Sequence, residues 1–168
     1  GTGTFSATLK TAGNQTLTAT DTVTSSITGT SSTIAVSAGT ATHFSVSAPA
    51  SATAGTAFSF TVTALDQFNN TATGYAGTVH FTSSDGAATL PANSTLTGGV
   101  GTFSATLNTA GNQTITATDA VTASITGASG TIAVSAGSAT HFSVSAPASA
   151  TAGTAFSFTV TALDQFNN

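Results

Sequence analysis

Glutamate, arginine, cysteine, methionine and tryptophan are missing from this chain, and lysine occurs once, at Lys10. Each absence removes a class of chemistry. A protein that holds phosphates needs clustered Lys or Arg to displace counterions, so nucleic-acid binding is excluded. Without cysteine there are no disulfides, thiolate metal ligands or thiol nucleophiles, although the compartment is left open. No apolar run approaches the roughly 18 residues of a membrane-spanning helix, and membrane insertion within these residues is not expected. No basic segment precedes an apolar one as in a signal peptide. Charged residues are 4% of the chain, against about a quarter in an ordinary soluble domain. Low charge together with 39% hydrophobic residues also separates the chain from disordered sequences, which pair high net charge with low hydrophobicity. More than a third of the residues are Ser or Thr, so hydroxyls carry the solvent-facing polarity.

What is present is a repeat. The stretch ATHFSVSAPASATAGTAFSFTVTALDQFNN at residues 41–70 returns unchanged at 139–168, and residues 1–70 match 99–168 at an offset of 98 with eight differences. Such a period is too long for a solenoid coil and suits one small domain per repeat. The chain therefore divides into residues 1–38, the C-terminal part of one repeat; residues 39–136, a complete repeat; and residues 137–168, the N-terminal part of a third. Both ends fall inside a repeat and are not expected to be natural boundaries.

Within the complete repeat, apolar and polar residues alternate in short runs separated by turn residues. Phe44, Val46 and Ala48 alternate with His43, Ser45 and Ser47 until Pro49, which cannot donate to a ladder, ends or bends the run. Phe58, Phe60, Val62 and Ala64 alternate with Ser59, Thr61 and Thr63. Residues 66–77 form a long Asn- and Gly-rich loop. Val79 and Phe81 mark a third strand with His80 facing outward, followed by a turn at residues 83–86. Leu90 and Leu96 sit on short runs around Pro91. Phe103, Ala105 and Leu107 form another alternation, residues 108–112 turn the chain, and Ile115 with Ala117 follows. Val121, Ala123 and Ile125 read as a strand before a turn at TGASG, residues 126–130, and Ile132 with Val134 closes the repeat. Seven to nine strands in about a hundred residues, with no helical stripe, predict an immunoglobulin-like antiparallel β-sandwich, repeated in tandem. The link at residues 135–140 is short and lacks proline, which suits a semi-rigid rod.

The run FTVTALDQFNNTATGYAGTVHFTSSDGAATL, followed by GGVGTFSATLNTAGNQTITATD, resembles the bacterial Ig-like repeats of invasin and intimin type. A strand ending in Asp, an Asn/Gly turn, a V-x-F strand, a G-x-F strand and an AG-x-x-T-x-I-x-A strand carry the resemblance over most of residues 58–119. Phe68 and Asn69 stand where Asn-Gly is more usual, and Gln113 where an aromatic is common. The resemblance implies a stalk module of a large secreted or surface-anchored bacterial protein, often an adhesin, with its binding head elsewhere. An extracellular or cell-surface location follows from it.

Few residues could carry chemistry. If the second and penultimate strands run the same way, Asp66 and Asp119 converge at the tip facing the preceding repeat, beside Asn69 and Asn70. Asp85 then belongs to the opposite tip, where Asp164 of the next repeat waits. One reading is a calcium ion at each joint on Asp66, Asp119 and Asn69, since calcium takes six to eight oxygen ligands. The other has Asp and Asn capping their own turns, with no cofactor. Phe68 and Tyr75 in the long loop are candidate contacts for a glycan or protein, or plugs of the sandwich tip. His43, His80 and His141 read as surface residues. With no G-x-S-x-G elbow and no Ser, His and Asp arrangement, an enzyme is not expected. Threonine alternation lacks the flat grid of an ice-binding array on twisted strands, and Lys10 aligns with Asn108, so a lysine cross-link cannot recur in every repeat.

The functional expectation is a structural stalk or filament module of an extracellular bacterial surface protein. Its partners would be the neighbouring repeats of its own chain, with lateral or end-to-end self-association favoured by the scarcity of charge. The alternative is a glycan- or protein-binding module using the loop around Phe68 and Tyr75. A third reading is polymerisation by strand exchange, in which neighbouring chains complete the partial repeats.

Overall fold

Nine residues of alternating Phe, Val and Ala against Ser and Thr make residues 57–65 the longest strand of the chain, because branched and aromatic side chains fit a pleated, half-buried surface. The computed structural model describes all residues 1–168, and every regular element is a strand. In the first partial repeat these are β1 (Gly13–Gln15), β2 (Thr18–Thr20), β3 (Thr28–Thr30) and β4 (Ile34–Val36). The complete repeat holds β5 (His43–Ser47), β6 (Ser51–Thr53), β7 (Ala57–Leu65), β8 (Thr78–Ser83), β9 (Ser94–Thr95), β10 (Val100–Thr106), β11 (Gly111–Gln113), β12 (Ile115–Asp119), β13 (Thr126–Ala128) and β14 (Ile132–Ser135). The last partial repeat supplies β15 (His141–Ser145) and β16 (Thr159–Leu163).

One layer of the sandwich is the antiparallel sheet β10-β7-β5, with Phe60 opposite Phe103 and Val62 opposite Val46. The other is β13-β12-β8-β9, continued by β11-β14-β6. Between β5 and β6 the chain changes layers: β5 pairs antiparallel with β7, and β6 pairs parallel with β14. Pro49 sits at that change, where its missing N–H interrupts the ladder. Ser129 separates β13 from β14 by accepting the Ile115 amide on its hydroxyl at 3.0 Å, so the partner strand stays bonded across the break. This is the immunoglobulin-like antiparallel sandwich that the alternation predicts.

Sixteen apolar residues form its core, with Phe60, Val62, Leu107, Ile115 and Ile132 almost wholly enclosed. Phe60 meets Phe81 edge-on at 5.6 Å between centroids and Phe103 at 5.8 Å, contacts that add about 0.5–1.5 kcal/mol each beyond area burial. At one open edge β13 lies so close to β5 that a Cβ on Gly127 would overlap the Phe44 carbonyl. Only glycine permits that approach.

One stretch differs from expectation. Residues 121–125 do not form a strand before a turn at 126–130; the turn comes first and Thr126–Ala128 is strand β13. Asp119 Oδ1 accepts the Val121 and Thr122 amides at 2.8 and 2.7 Å, and this local carboxylate acceptor outweighs the weak alternation of Val121, Ala123 and Ile125. Val121 is left 91% exposed.

Phe60 is 1% exposed and Val121 91% exposed within the same repeat. Phe60→Ala should lower the stability of the complete repeat by about 3–5 kcal/mol, the usual cost of emptying a buried Phe site. Val121→Ala should leave it within about 0.5 kcal/mol, as at other exposed positions. Chemical denaturation of the two variants measures both values.

Candidate functional site at the joint between repeats

Where β7 ends, the chain wraps around a carboxylate. Asp66 Oδ1 accepts the amides of Phe68 at 2.8 Å and Asn70 at 2.9 Å, while Asn69 adopts φ 64° to close the loop. Asparagine tolerates that left-handed conformation better than most residues. Oδ2 accepts the Gly39 amide of the linker at 2.8 Å and the Asn70 side-chain amide at 2.9 Å. The carboxylate therefore ties the strand end, the loop and the inter-repeat linker together.

Asn70 carries the tie into the preceding repeat. Its Nδ2 donates to the Lys10 carbonyl at 2.8 Å, and its Oδ1 accepts the Ala12 amide at 2.8 Å. The side-chain amide thus pairs with the Lys10 and Ala12 backbone much as another strand would. At the second joint Asn168 donates to the Asn108 carbonyl at 2.8 Å and accepts the Ala110 amide at 2.8 Å. Asp164 holds Asn168 Nδ2 at 2.9 Å and the Gly137 amide at 2.8 Å. Lys10 and Asn108 differ, but only their backbone is read, so the joint is indifferent to the exchange.

Asp85 organises the receiving side of the second joint. It accepts the amides of Asn108 and Thr109 at 2.7 and 3.0 Å, the Thr109 hydroxyl at 2.7 Å, and the Ala87 amide at 2.9 Å. The loop whose carbonyl and amide Asn168 grips is thereby fixed from within its own repeat. Beside this contact, Phe166 lies over Gly55, where an added Cβ would come within 2.6 Å of the ring, and the Gly55 φ of 79° itself favours glycine.

These contacts assign the expected site residues. Phe68 is the equivalent of Phe166; it is 43% exposed, and Lys10 Nζ stands 5.5 Å from its ring centroid. Tyr75 plugs the sandwich tip, edge-on to Phe44 at 5.4 Å, and donates its hydroxyl to Asp119. Asp119 uses its other oxygen for the turn at residues 121–122. Asn69 Oδ1 faces His43 Nε2 at 3.2 Å instead of joining the two carboxylates. Asp66 and Asp119 share a tip without a common centre, and no three His, Cys, Asp or Glu side chains are grouped anywhere. A calcium ion at Asp66 would need lone pairs that N–H donors already occupy.

The pairing of Asn70 and Asn168 with main chain, and the place of Gly55 beneath a ring, were missed by sequence reasoning. The exact return of DQFNN next to a turn was the available signal. Gln113 accepts the Ser84 hydroxyl at 2.6 Å and joins two turns of the same tip.

The carboxylates feel these donors. The Asn70 side chain foremost, with the Gly39, Asn70 and Phe68 amides, holds Asp66 at about 2, from an ordinary 3.8. Asp164 is lowered in the same way, chiefly by Asn168. Asp119 is lowered by the Tyr75 hydroxyl first and then by the Thr122 and Val121 amides. Burial, then the hydrogen bond and charge of Asp119, push Tyr75 well above its ordinary range.

The fold has counterparts among solved structures. The chain is similar to the Escherichia coli adhesin FdeC, with a TM-score of 0.51 and 21% identity over 81% of this chain and 46% of that one. It also aligns with domains 4-9 of the surface layer protein SbsC, with a TM-score of 0.44 and 24% identity over 84% of this chain and 23% of that one. No protein-family model matches the sequence, and no curated protein does.

Three outcomes follow at this site. Asn168→Ala should speed exchange of the Ala110 amide about tenfold, the equivalent of a lost hydrogen bond of about 1.4 kcal/mol, read by NMR. Because the Asp66 pKa is lower folded than unfolded, its contribution is complete above about pH 4 and is lost as pH falls through about 2; protection of the Gly39 amide should fall over that window. Chelator should leave the melting temperature unchanged, and a downward shift would show that a cation displaces the N–H donors.

Proposed function

We propose that this chain is a structural module of an extracellular bacterial surface protein, a length of stalk or filament of the invasin and intimin kind whose task is spacing and bearing load. The observation that supports it best is the recurrence of one joint. Asp66 with Asn70 and Asp164 with Asn168 grip linker and preceding repeat through the same pairs of atoms. A joint that repeats makes each sandwich follow the last at a set angle. Pulled end to end, its hydrogen bonds share the load across the short linker.

The fold likeness to the adhesin FdeC fits a surface setting. So does the composition: a hydroxyl-rich, almost charge-free exterior with one lysine and no arginine offers a trypsin-like protease little to cut.

Arrays of increasing repeat number test the reading through small-angle scattering. Their maximum dimension should grow in proportion to repeat number, and Asn→Ala at every clasp should shift growth toward the square-root law of a flexible chain. Square-root growth in the unaltered arrays would overturn it.

A further inference from the structure

The complete repeat is entered and left along strands that are bonded to each other. β7 runs into Asp66, beside the linker residue Gly39. β5 pairs antiparallel with β7, so it starts at that tip and runs toward the following repeat. β6 carries the chain on in the other layer and ends at the Gly55 turn, against Phe166 of the following segment. β14 pairs parallel with β6, Ala133 opposite Ser51 and Ser135 opposite Thr53, and the chain leaves by the same tip through Gly137.

A pull on the two ends of the repeat therefore draws β5 and β6 toward the preceding repeat and β14 toward the following one. Ladder hydrogen bonds cross from strand to strand. A force along the strands loads the whole row together, whereas a force that spreads the strands from one end breaks the bonds in turn. Around β6 the Ala133 amide donates to the Ala50 carbonyl at 2.9 Å, the Ala54 amide to the Ser135 carbonyl at 2.8 Å and the Ser135 hydroxyl to the Ala52 carbonyl at 3.3 Å. β5 is fastened to the opposite layer, in register with β7 from His43 against Leu65 to Ser47 against Thr61. Side chains oppose the same displacement. Phe44 and Val46 of β5 and Ile132 and Val134 of β14 are buried in one core, and a slip of one residue would turn them to the other face.

We infer that β5, β6 and β14 form a mechanical latch. The N-terminal run is fastened to both layers, the C-terminal strand is fastened to it in the opposing direction, and the sandwich yields to a pull along the array only when these rows part together. The latch rests on the load-bearing reading for the direction of force, and on strand direction and register for everything else.

A chain without cysteine allows force to be applied at chosen points of the 168-residue molecule. Ser37, Thr56 and Ala136 are exposed. Ser37→Cys with Ala136→Cys, held through DNA handles in an optical trap, pulls along the strands. Thr56→Cys with Ala136→Cys spreads β6 from β14 at one end of the same fold. Forced rupture reports the unfolding barrier, and matching melting temperatures of the two double variants establish that the fold beneath it is the same. At one loading rate the first pair should open at several times the force of the second. It should open in one event that releases about 340 Å, the extended chain between its cysteines. Equal forces, or a lower force along the strands, would overturn the inference. So would a first release of only about 65 Å, the extended chain from residue 37 to residue 56, because the N-terminal run would then have come away alone. Square-root growth in the scattering arrays would remove the stalk reading and leave these forces as measured.

Discussion

A buried carboxylate with no cation beside it survives only where N–H and O–H donors replace its water. In a chain with a single lysine no other solution exists, and four of the five aspartates adopt it. Asp66, Asp85, Asp119 and Asp164 are each buried and each accept at least three donors. Because the donors come from turns, linker and loop backbone, every such carboxylate becomes a local organiser of the chain. The ends of the sandwich, and the joints built on them, depend on that constraint.

The rest of the polar chemistry follows the same economy. No buried side-chain nitrogen or oxygen lacks a partner, although the chain has almost no ions to pair. Thr118 with Thr126 at 2.9 Å and Ser84 with Gln113 at 2.6 Å show hydroxyls and amides meeting each other across strands and turns. Neutral pairs of this kind are insensitive to salt, unlike surface ion pairs. Asp21, the counterpart of Asp119 in the partial repeat, keeps its turn amides at 2.9 and 2.6 Å while exposed. The turn is thus local, and its burial is a matter of the completed sandwich.

Much of the fold was legible because a two-residue period writes the buried face directly into the order of residues. Phe58 to Ala64 and Phe103 to Leu107 were read from alternation alone, and Pro49 marked the change of layer. Where alternation ran through small residues it failed: at residues 121–125 the Asp119 carboxylate set the turn. At the joint, the converging carboxylates and the Asn-rich loop could be picked out as candidates, but not their partners. Asn70 reads the backbone of Lys10 and Ala12 some sixty positions away, and a backbone contact leaves no mark on side-chain identity. Phe68 and Tyr75 looked alike as exposed aromatics in one loop; one caps the Phe44 side of the core, and the other lies at a face between repeats.

By itself the sequence determined the repeat, its length, the strand character of most runs and the near absence of ionic chemistry, since these depend on composition and on spacing along the chain. Tertiary structure decided which carboxylates would be linked to which amides and which of the loop aromatics would plug the sandwich tip. Those outcomes depend on what stands across the gap, and residues that are distant in the chain supply it.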